Sequence, residues 1–522
     1  MQSRDFHLPP DADRKRILKA FAALGALHLE PESRLRLTFL DSFDWRLYHA
    51  DSLLVVEQTP YQARTRWLRR SSAELIAALP GAVARFACQI PAGPLRDRLE
   101  PLLEMRALLP MACVDLHLTR ARLLDKRGKT VLHLTFASGQ AGKKEETVDR
   151  PLPERLQLLP VKGYPKALHR SVDLAGQLQL LPATTLLEDA LAALERPVVR
   201  QSRKAPVTLT SEMSTAEALR RILRQQRQVM ESNLAGTCAD LDSEFLHDFR
   251  VAVRRTRTLL SRFSRFFPAT ISRFRNDFKW LGQITGPTRD LDVYLLNFPA
   301  YLEQLADTAR PHLAPLKTFL ENSQRQEQRR LARCLGSQRL KRLLSEWQTF
   351  LQTDNADADW PEAARKPIGP LADRRIGKAF RRVMRAGAAI DGNSPPAALH
   401  ELRIDCKRLR YLMEFFQSLY PPKEMGRLIK ALKGLQENLG NFNDFTVQAE
   451  QLQEICRQMR QKNPELAAET LIAIGMLIDR LHQRQQTERR RFAKDFDRFA
   501  APRNLRLFRS LSSLRAGKEE TS

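Results

Sequence analysis

The sequence predicts an α+β multidomain fold, with a β-rich N-terminal domain followed by an all-α region of duplicated four-helix bundles. Three observations predict it. Short runs alternating apolar and polar residues dominate the chain up to about residue 195. Beyond residue 212 they give way to the 3.6-residue period of amphipathic helices. The helical half also contains one basic pattern twice: His247-Asp-Phe-Arg250-Val-Ala-Val-Arg254-Arg255-Thr-Arg257 returns as His400-Glu-Leu-Arg403-Ile-Asp-Cys-Lys407-Arg408-Leu-Arg410, 153 residues later.

In the first domain, residues 1–195, Leu35–Leu40, Ser52–Val56, Val114–Arg120 and Thr130–Phe136 have strand character. The turn residues Lys126-Arg127-Gly128-Lys129 make the last two an antiparallel hairpin. Arg14–Leu24 and Thr185–Leu194 carry helical apolar stripes. Residues 196–212 are polar, contain Pro197 and Pro206, and read as a linker.

The helical domain then occupies 213–505, with a tail at 506–522. Ser211 and Ser214 offer N-caps for a helix near 213–233. Helices follow at about 242–266, 270–284, 288–309 and 312–352. Residues 353–370, with three prolines and several aspartates, separate the repeats at 213–352 and 371–500. The second repeat predicts helices at about 371–389, 397–418, 423–439, 443–462 and 464–499. Each repeat is too long for one helical hairpin and suits a four-helix bundle. Two further segments repeat in the same order. Arg220-Arg221-Ile222 through Arg227 returns as Arg374-Arg375-Ile376 through Arg381. Lys279, Leu281, Gly286 and Asp290 return as Lys433, Leu435, Gly440 and Asp444, again 154 residues on.

Composition narrows the function. The 522 residues are 43% hydrophobic and carry a net charge of +26. Residues 1–195 hold 28 Lys/Arg against 23 Asp/Glu, while the remainder holds 58 against 37. The excess of the helical half favours a polyanionic partner. Six scattered cysteines without a C-x-x-C pair argue for reduced thiols in the cytoplasm, against a disulfide framework or a zinc site. The N-terminus lacks the apolar region of a signal peptide, and no apolar run is long enough to span a bilayer, so no membrane partner is expected. No G-x-x-x-x-G-K-[ST], H-E-x-x-H or G-x-S-x-G appears, and no cofactor is expected.

The repeated basic segment places its charges on one helix face. At about 100° per residue, His247, Arg250, Arg254 and Arg257 fall within a stripe about 90° wide. His400, Arg403, Lys407 and Arg410 make the same stripe. Like charges so spaced repel by a few tenths of a kcal/mol per pair, a cost that a bound polyanion offsets. One such helix would read as a solvated face; recurrence at identical spacing argues for a polyanion site. Arg255 and Arg408 flank the stripes. Lys279 and Arg289 are matched in the second repeat by Lys430 and Lys433, and Arg220 and Arg227 by Arg374 and Arg381. The long last helices add Arg325, Arg329, Arg330 and Arg333 against Arg484.

The paired H-[DE]-x-R-x-x-x-[RK]-R-x-R segments, each followed by a segment ending in Asp290 or Asp444, resemble the CHAD domain over about residues 210–505. The resemblance implies two bundles with a basic cleft between them, binding of inorganic polyphosphate, and association with polyphosphate granules. It allows other polyanions and polyphosphate-granule proteins as further partners. The second repeat departs from the first at Lys407, which replaces Arg254, and at Asn443, which replaces Arg289.

Residues 1–195 more weakly resemble the CYTH or triphosphate-tunnel family, at Leu40-Asp41-Ser-Phe-Asp44-Trp45-Arg46-Leu47 and at Val161-Lys162-Gly163-Tyr164-Pro165. That resemblance implies an antiparallel barrel holding a triphosphate and a divalent metal. The family's E-x-E-x-K, however, is replaced by Arg4-Asp5-Phe6-His7-Leu8. Without those carboxylates a hard metal loses its oxygen ligands, so a degenerate domain without triphosphatase or cyclase activity and without bound metal is expected. Strand-spaced cations remain at Arg34/Arg36, Arg64/Arg66 and Arg120/Arg122. The alternatives are a metal-dependent triphosphatase with a polyphosphate-targeting domain, and a nucleic-acid-binding protein. Against the latter, aromatic stacking residues are sparse on the basic stripes.

Overall fold

The computed structural model describes residues 3–72, 74–143, 148–196, 198, 207–352, 360–511, 513 and 515. The chain divides into two compact units, Met1–Ser202 and Arg203–Ser522. Much of the expected linker, residues 353–359 of the inter-repeat spacer and most of the tail beyond 511 lie outside the described residues.

The N-terminal unit is an antiparallel sheet of β1 (Arg4–His7), β2 (Ala26–Leu29), β3 (Ser33–Asp41), β4 (Ser52–Gln58), β5 (Ala63–Arg69), β6 (Leu75–Pro80), β7 (Leu109–Leu124), β8 (Thr130–Gly142), β9 (Val148–Pro151), β10 (Arg155–Pro160) and β11 (Leu181–Pro182). The strands run β11-β1-β10-β8-β7-β3-β4-β5-β6, with β2 on β7 and β9 on β8. Among the described residues no pairing joins β6 to β11, so the sheet is not closed into a barrel. Among the described residues, five α-helices accompany it: α1 (Arg14–Ala22), α2 (Arg46–His49), α3 (Pro94–Leu103), α4 (Pro165–Gln177) and α5 (Leu186–Ala193).

The strands expected from alternation lie within β3, β4, β7 and β8. The β7–β8 turn closes where the Asp125 carboxylate accepts from the backbone of Arg127 and Lys129, with Gly128 at φ 72°. The Leu40–Leu47 segment is organised by Asp41, which is buried and accepts from the backbone N–H groups of Ser42, Leu47 and Tyr48. A capping box between Thr185 and Glu188 starts α5. Its Leu187 and Leu191 then pack in one apolar cluster with Leu116 and Leu118 of β7.

The C-terminal unit is helical. The first repeat holds α6 (Thr215–Cys238), α7 (Ser243–Arg262), α8 (Ile271–Ile284), α9 (Gly286–Glu303), α10 (Ala314–Leu335) and α11 (Gln338–Gln352). After the short α12 (Glu362–Arg365), the second holds α13 (Ile368–Ala388), α14 (Pro396–Phe415), α15 (Pro422–Lys462), α16 (Ala468–Phe499) and α17 (Pro502–Arg509). Two expectations are corrected here. The segment 312–352 is two helices, broken at Gly336-Ser337. Conversely, the helices expected at 423–439 and 443–462 are one helix, α15. The repeats differ at one residue in a way that accounts for this. Gly286-Pro287 ends α8 and opens α9, because proline lacks the N–H that would continue the ladder. The equivalent Gly440-Asn441 has no proline, and the helix runs on.

Both apolar cores of this unit draw on both repeats. One joins Phe249, Phe278 and Trp347 to Leu402, Phe416 and Leu439. The other joins Tyr294, Phe298 and Leu316 to Leu452, Ile474 and Leu477. The repeat starts also meet directly: Ser214 pairs with Pro367 in an antiparallel bridge, and the Ile368 N–H donates to the Met213 carbonyl at 2.9 Å. The repeats therefore fold as one body, and that body fixes the geometry between the two basic helices, α7 and α14.

Candidate polyanion site

The Asp242 carboxylate starts α7 by accepting from the N–H groups of Glu244 and Phe245. The helix buries Phe249, Val253 and Leu260 on its apolar face and leaves its cations on the other. Proline at the first position starts α14, which buries Leu402, Cys406 and Leu409 in the same way.

Two hollows flank these helices. The first, about 730 Å³, receives Arg254, Arg257 and Arg262 from α7, Arg275 and Lys279 from α8, and Lys407 and Arg408 from α14. None of its lining residues is a carboxylate. The second, about 380 Å³, receives His247, Arg254 and Arg255 from α7, Arg410 from α14 and Lys433 from α15, with one carboxylate, Glu414. Arg254 and Tyr411 line both, so the hollows adjoin there.

Burial, and after it the crowding of cations, is visible in their protonation. Lys407 is pushed down to about 8, first by burial and then by Arg403 and Arg254, against the opposing pull of Asp444. Arg262 is lowered by burial and by Arg408 and Arg382. Each guanidinium remains charged at neutral pH, so the field persists until an anion answers it.

The stripe residues divide into two roles that the sequence does not distinguish. Arg250 turns inward, donating to Thr285 Oγ1 at 2.9 Å, and is lowered by burial while Asp290 raises it. Its repeat equivalent Arg403 donates to Asp444 Oδ1 at 2.9 Å. Both pairs tie a basic helix to the one beside it. Arg289 donates to the Ser243 carbonyl, and His400 bonds Asn443. Outward, Arg254 and Arg257 are exposed in the first hollow with Lys279. The Arg257 guanidinium lies against Gly282, where an added Cβ would stand 2.5 Å from its Nη1. Arg255 is committed to an ion pair with Glu414, which also meets Arg410 at 3.5 Å. Arg408 donates to Asp405 at 2.7 Å, and Asp405 also holds Arg382.

The remaining candidates line neither hollow. Arg220 is buried, paired with Glu217 and 5.7 Å from the Trp360 ring. Arg227 bonds Glu231 and Gln348. Arg374 and Lys430 are exposed on α13 and α15. Arg381 lines a separate groove with Phe508 of α17. Arg325 bonds Asn322, Arg329 is exposed on α10, and Arg484 lies 4.5 Å from the Phe445 ring. The sequence reading missed Arg262, Arg275 and Tyr411. Arg275 stands one helical turn before Lys279, a spacing that could have found it. Tyr411 carries no charge and left no signal, yet the guanidiniums of Arg255 and Arg410 lie 6.0 and 5.6 Å from its ring centre.

In the N-terminal unit, Arg36 pairs with Asp115 on the sheet face away from Leu35 and Leu37. Arg64, Arg66 and Arg120 instead line a cavity of about 500 Å³. Among the described residues, no group of three or more His, Cys, Asp or Glu is placed to hold a metal ion. Among those residues, no helix is long and apolar enough to cross a membrane.

Comparison with curated proteins found no match. Among solved structures, the chain is similar to the CHAD domain from the plant Ricinus communis, with 25% identity over 57% of this chain and 96% of that one and a TM-score of 0.48. It is also similar to PptA from Streptomyces chartreusis, with 19% identity over 55% of this chain and 100% of that one and a TM-score of 0.44. A third similar structure is a candidate adenylate cyclase from Bacillus halodurans, with 12% identity over 36% of this chain and 94% of that one and a TM-score of 0.26. The CHAD domain family model matches residues 221–453, the span that holds both basic helices and every cation of the two hollows, and the C-terminal unit carries a CHAD domain.

Proposed function

We propose that the helical unit binds inorganic polyphosphate, without chemistry, along the two adjoining hollows, and that this binding carries the protein to polyphosphate granules. The observation that carries the reading is the first hollow: seven lysines and arginines line it and no carboxylate does. A chain of phosphates, with about one negative charge each, suits such a row of cations. Arginine forks can take phosphate oxygens two at a time. The ligand-contacting set is Arg254, Arg257, Arg262, Arg275, Lys279 and Lys407, joined in the second hollow by Arg410 and Lys433. Arg250 and Arg403 act as buttresses behind them. The N-terminal unit takes no part as an enzyme in this reading, since Arg4-Asp5-Phe6-His7 stands where the tunnel family carries its metal-binding glutamates.

Competition tests the proposal. Long-chain polyphosphate bound at physiological salt should resist displacement by duplex DNA and by RNA at equal phosphate concentration. Equal displacement by nucleic acid would reduce the site to general basicity, because counterion release alone does not distinguish polyanions.

A further inference from the structure

We propose that the cavity of the N-terminal sheet binds an organic anion with one charged group and an apolar body, the class of long-chain carboxylates and alkyl phosphates. The cavity, about 500 Å³, is lined by seven strands that are consecutive in the sheet, from β1 to β5, and by the start of α5. Seven neighbouring strands reach one cavity only if the sheet curves around it. Side chains two apart share a face, and on β3 and β7 that face is aliphatic. Leu35, Leu37 and Phe39 line the cavity from β3, and Leu116 and Leu118 from β7. Leu53 and Val55 of β4 and Leu68 of β5 extend this wall.

The cations of the cavity are mostly answered from within the protein. Arg64 and Arg66 both donate to Glu57, at 2.7 and 2.6 Å. Arg70 pairs with Glu188, and Arg155 with Asp189. Arg120 differs: its Nη1 donates to a neutral partner, Ser33 Oγ, at 3.0 Å. The register sets Thr135 opposite Arg120 and Gln157 opposite Thr135, so two neutral hydrogen-bonding groups stand in its row. Asp5 ends that row and repels a second negative charge. A triphosphate would set several charges against an aliphatic wall, which is costly without partners. A single anionic head at Arg120, Thr135 and Gln157 would leave the wall to an apolar body, which gains about 25 cal/mol per Å² buried.

Calorimetric titration of the full chain tests this, in a background carrying Arg254→Gln and Lys407→Gln so that failure here is separate from failure of the polyphosphate site. The probes are decanoate, decyl phosphate, decanol and inorganic tripolyphosphate. Decanoate or decyl phosphate should bind one to one; which binds tighter tells carboxylate from phosphate. Arg120→Gln should weaken that binding about tenfold, as should Leu53→Gln with Leu68→Gln, two partly exposed positions whose folding a melting curve checks. Three results would overturn the proposal: neither decyl anion binds, decanol binds as tightly as decanoate, or tripolyphosphate binds in a way that Arg64→Gln abolishes and the leucine changes leave intact.

Discussion

Replacing Lys407 by arginine should abolish a proton uptake that accompanies polyphosphate binding at alkaline pH. In the free protein Lys407 titrates at about 8, lowered by burial and by the neighbouring Arg403 and Arg254. Phosphates beside it favour the ammonium. If they restore the ordinary value of about 10.5, binding at pH 9 takes up about 0.9 proton, and at pH 7 about 0.1. The sign follows from linkage. The free-state value is depressed, the complex holds more protons, and affinity therefore falls as pH rises through 8. Between pH 7 and pH 9 the loss is about tenfold, or ~1.4 kcal/mol. Terminal phosphates placed beside cations release protons rather than take them up, so they cannot supply the uptake. Calorimetry of one polyphosphate length in buffers of differing ionisation enthalpy measures the uptake directly. A wild-type protein with no uptake at pH 9, or a Lys407→Arg variant with unchanged uptake, would refute the placement of Lys407 at the ligand.

Three further outcomes follow from the geometry. Glu414→Gln should destabilise the fold by about 2 kcal/mol in denaturant melts, because it strands the half-buried Arg255 and Arg410; a fully buried pair would lose roughly 3–5 kcal/mol. Adding Arg255→Met to that variant should recover part of the loss, and a double-mutant cycle measures the coupling. Gly282→Ala should leave the melting temperature nearly unchanged but weaken polyphosphate binding several-fold, since its methyl displaces the flexible end of Arg257 and no backbone. Arg257→Gln should reduce the slope of log affinity against log salt by about 1, the contribution of one phosphate contact.

Much of this was legible because charge and periodicity are local. The His247–Arg257 and His400–Arg410 stripes could be read from spacing alone, and both lie on helices, α7 and α14, as the period requires. Spacing could not tell Arg250 from Arg254. Four residues apart on one face, one reaches Thr285 on the adjacent α8–α9 junction and the other faces the hollow. That difference depends on which helix lies alongside. Arg220 misled for the same reason: its repeat partner Arg374 is exposed, whereas Trp360 covers Arg220. In the N-terminal unit, strand alternation identified β3, β4, β7 and β8. Which face of each strand turned inward waited on the register, and so Arg36 went outside while Arg64 and Arg120 went in.

The central claim is that the site is the hollow and not the surplus of charge. One comparison tests it most directly: polyphosphate affinity at physiological salt for two variants, each lacking four cations. One carries Arg254→Gln, Arg257→Gln, Lys279→Gln and Lys407→Gln, all in the first hollow. The other carries Arg325→Gln, Arg329→Gln, Arg330→Gln and Arg333→Gln, all on α10 and outside both hollows. Loss of at least a hundredfold in the first with less than fivefold in the second is the predicted result. Equal losses in the two folded variants would contradict it.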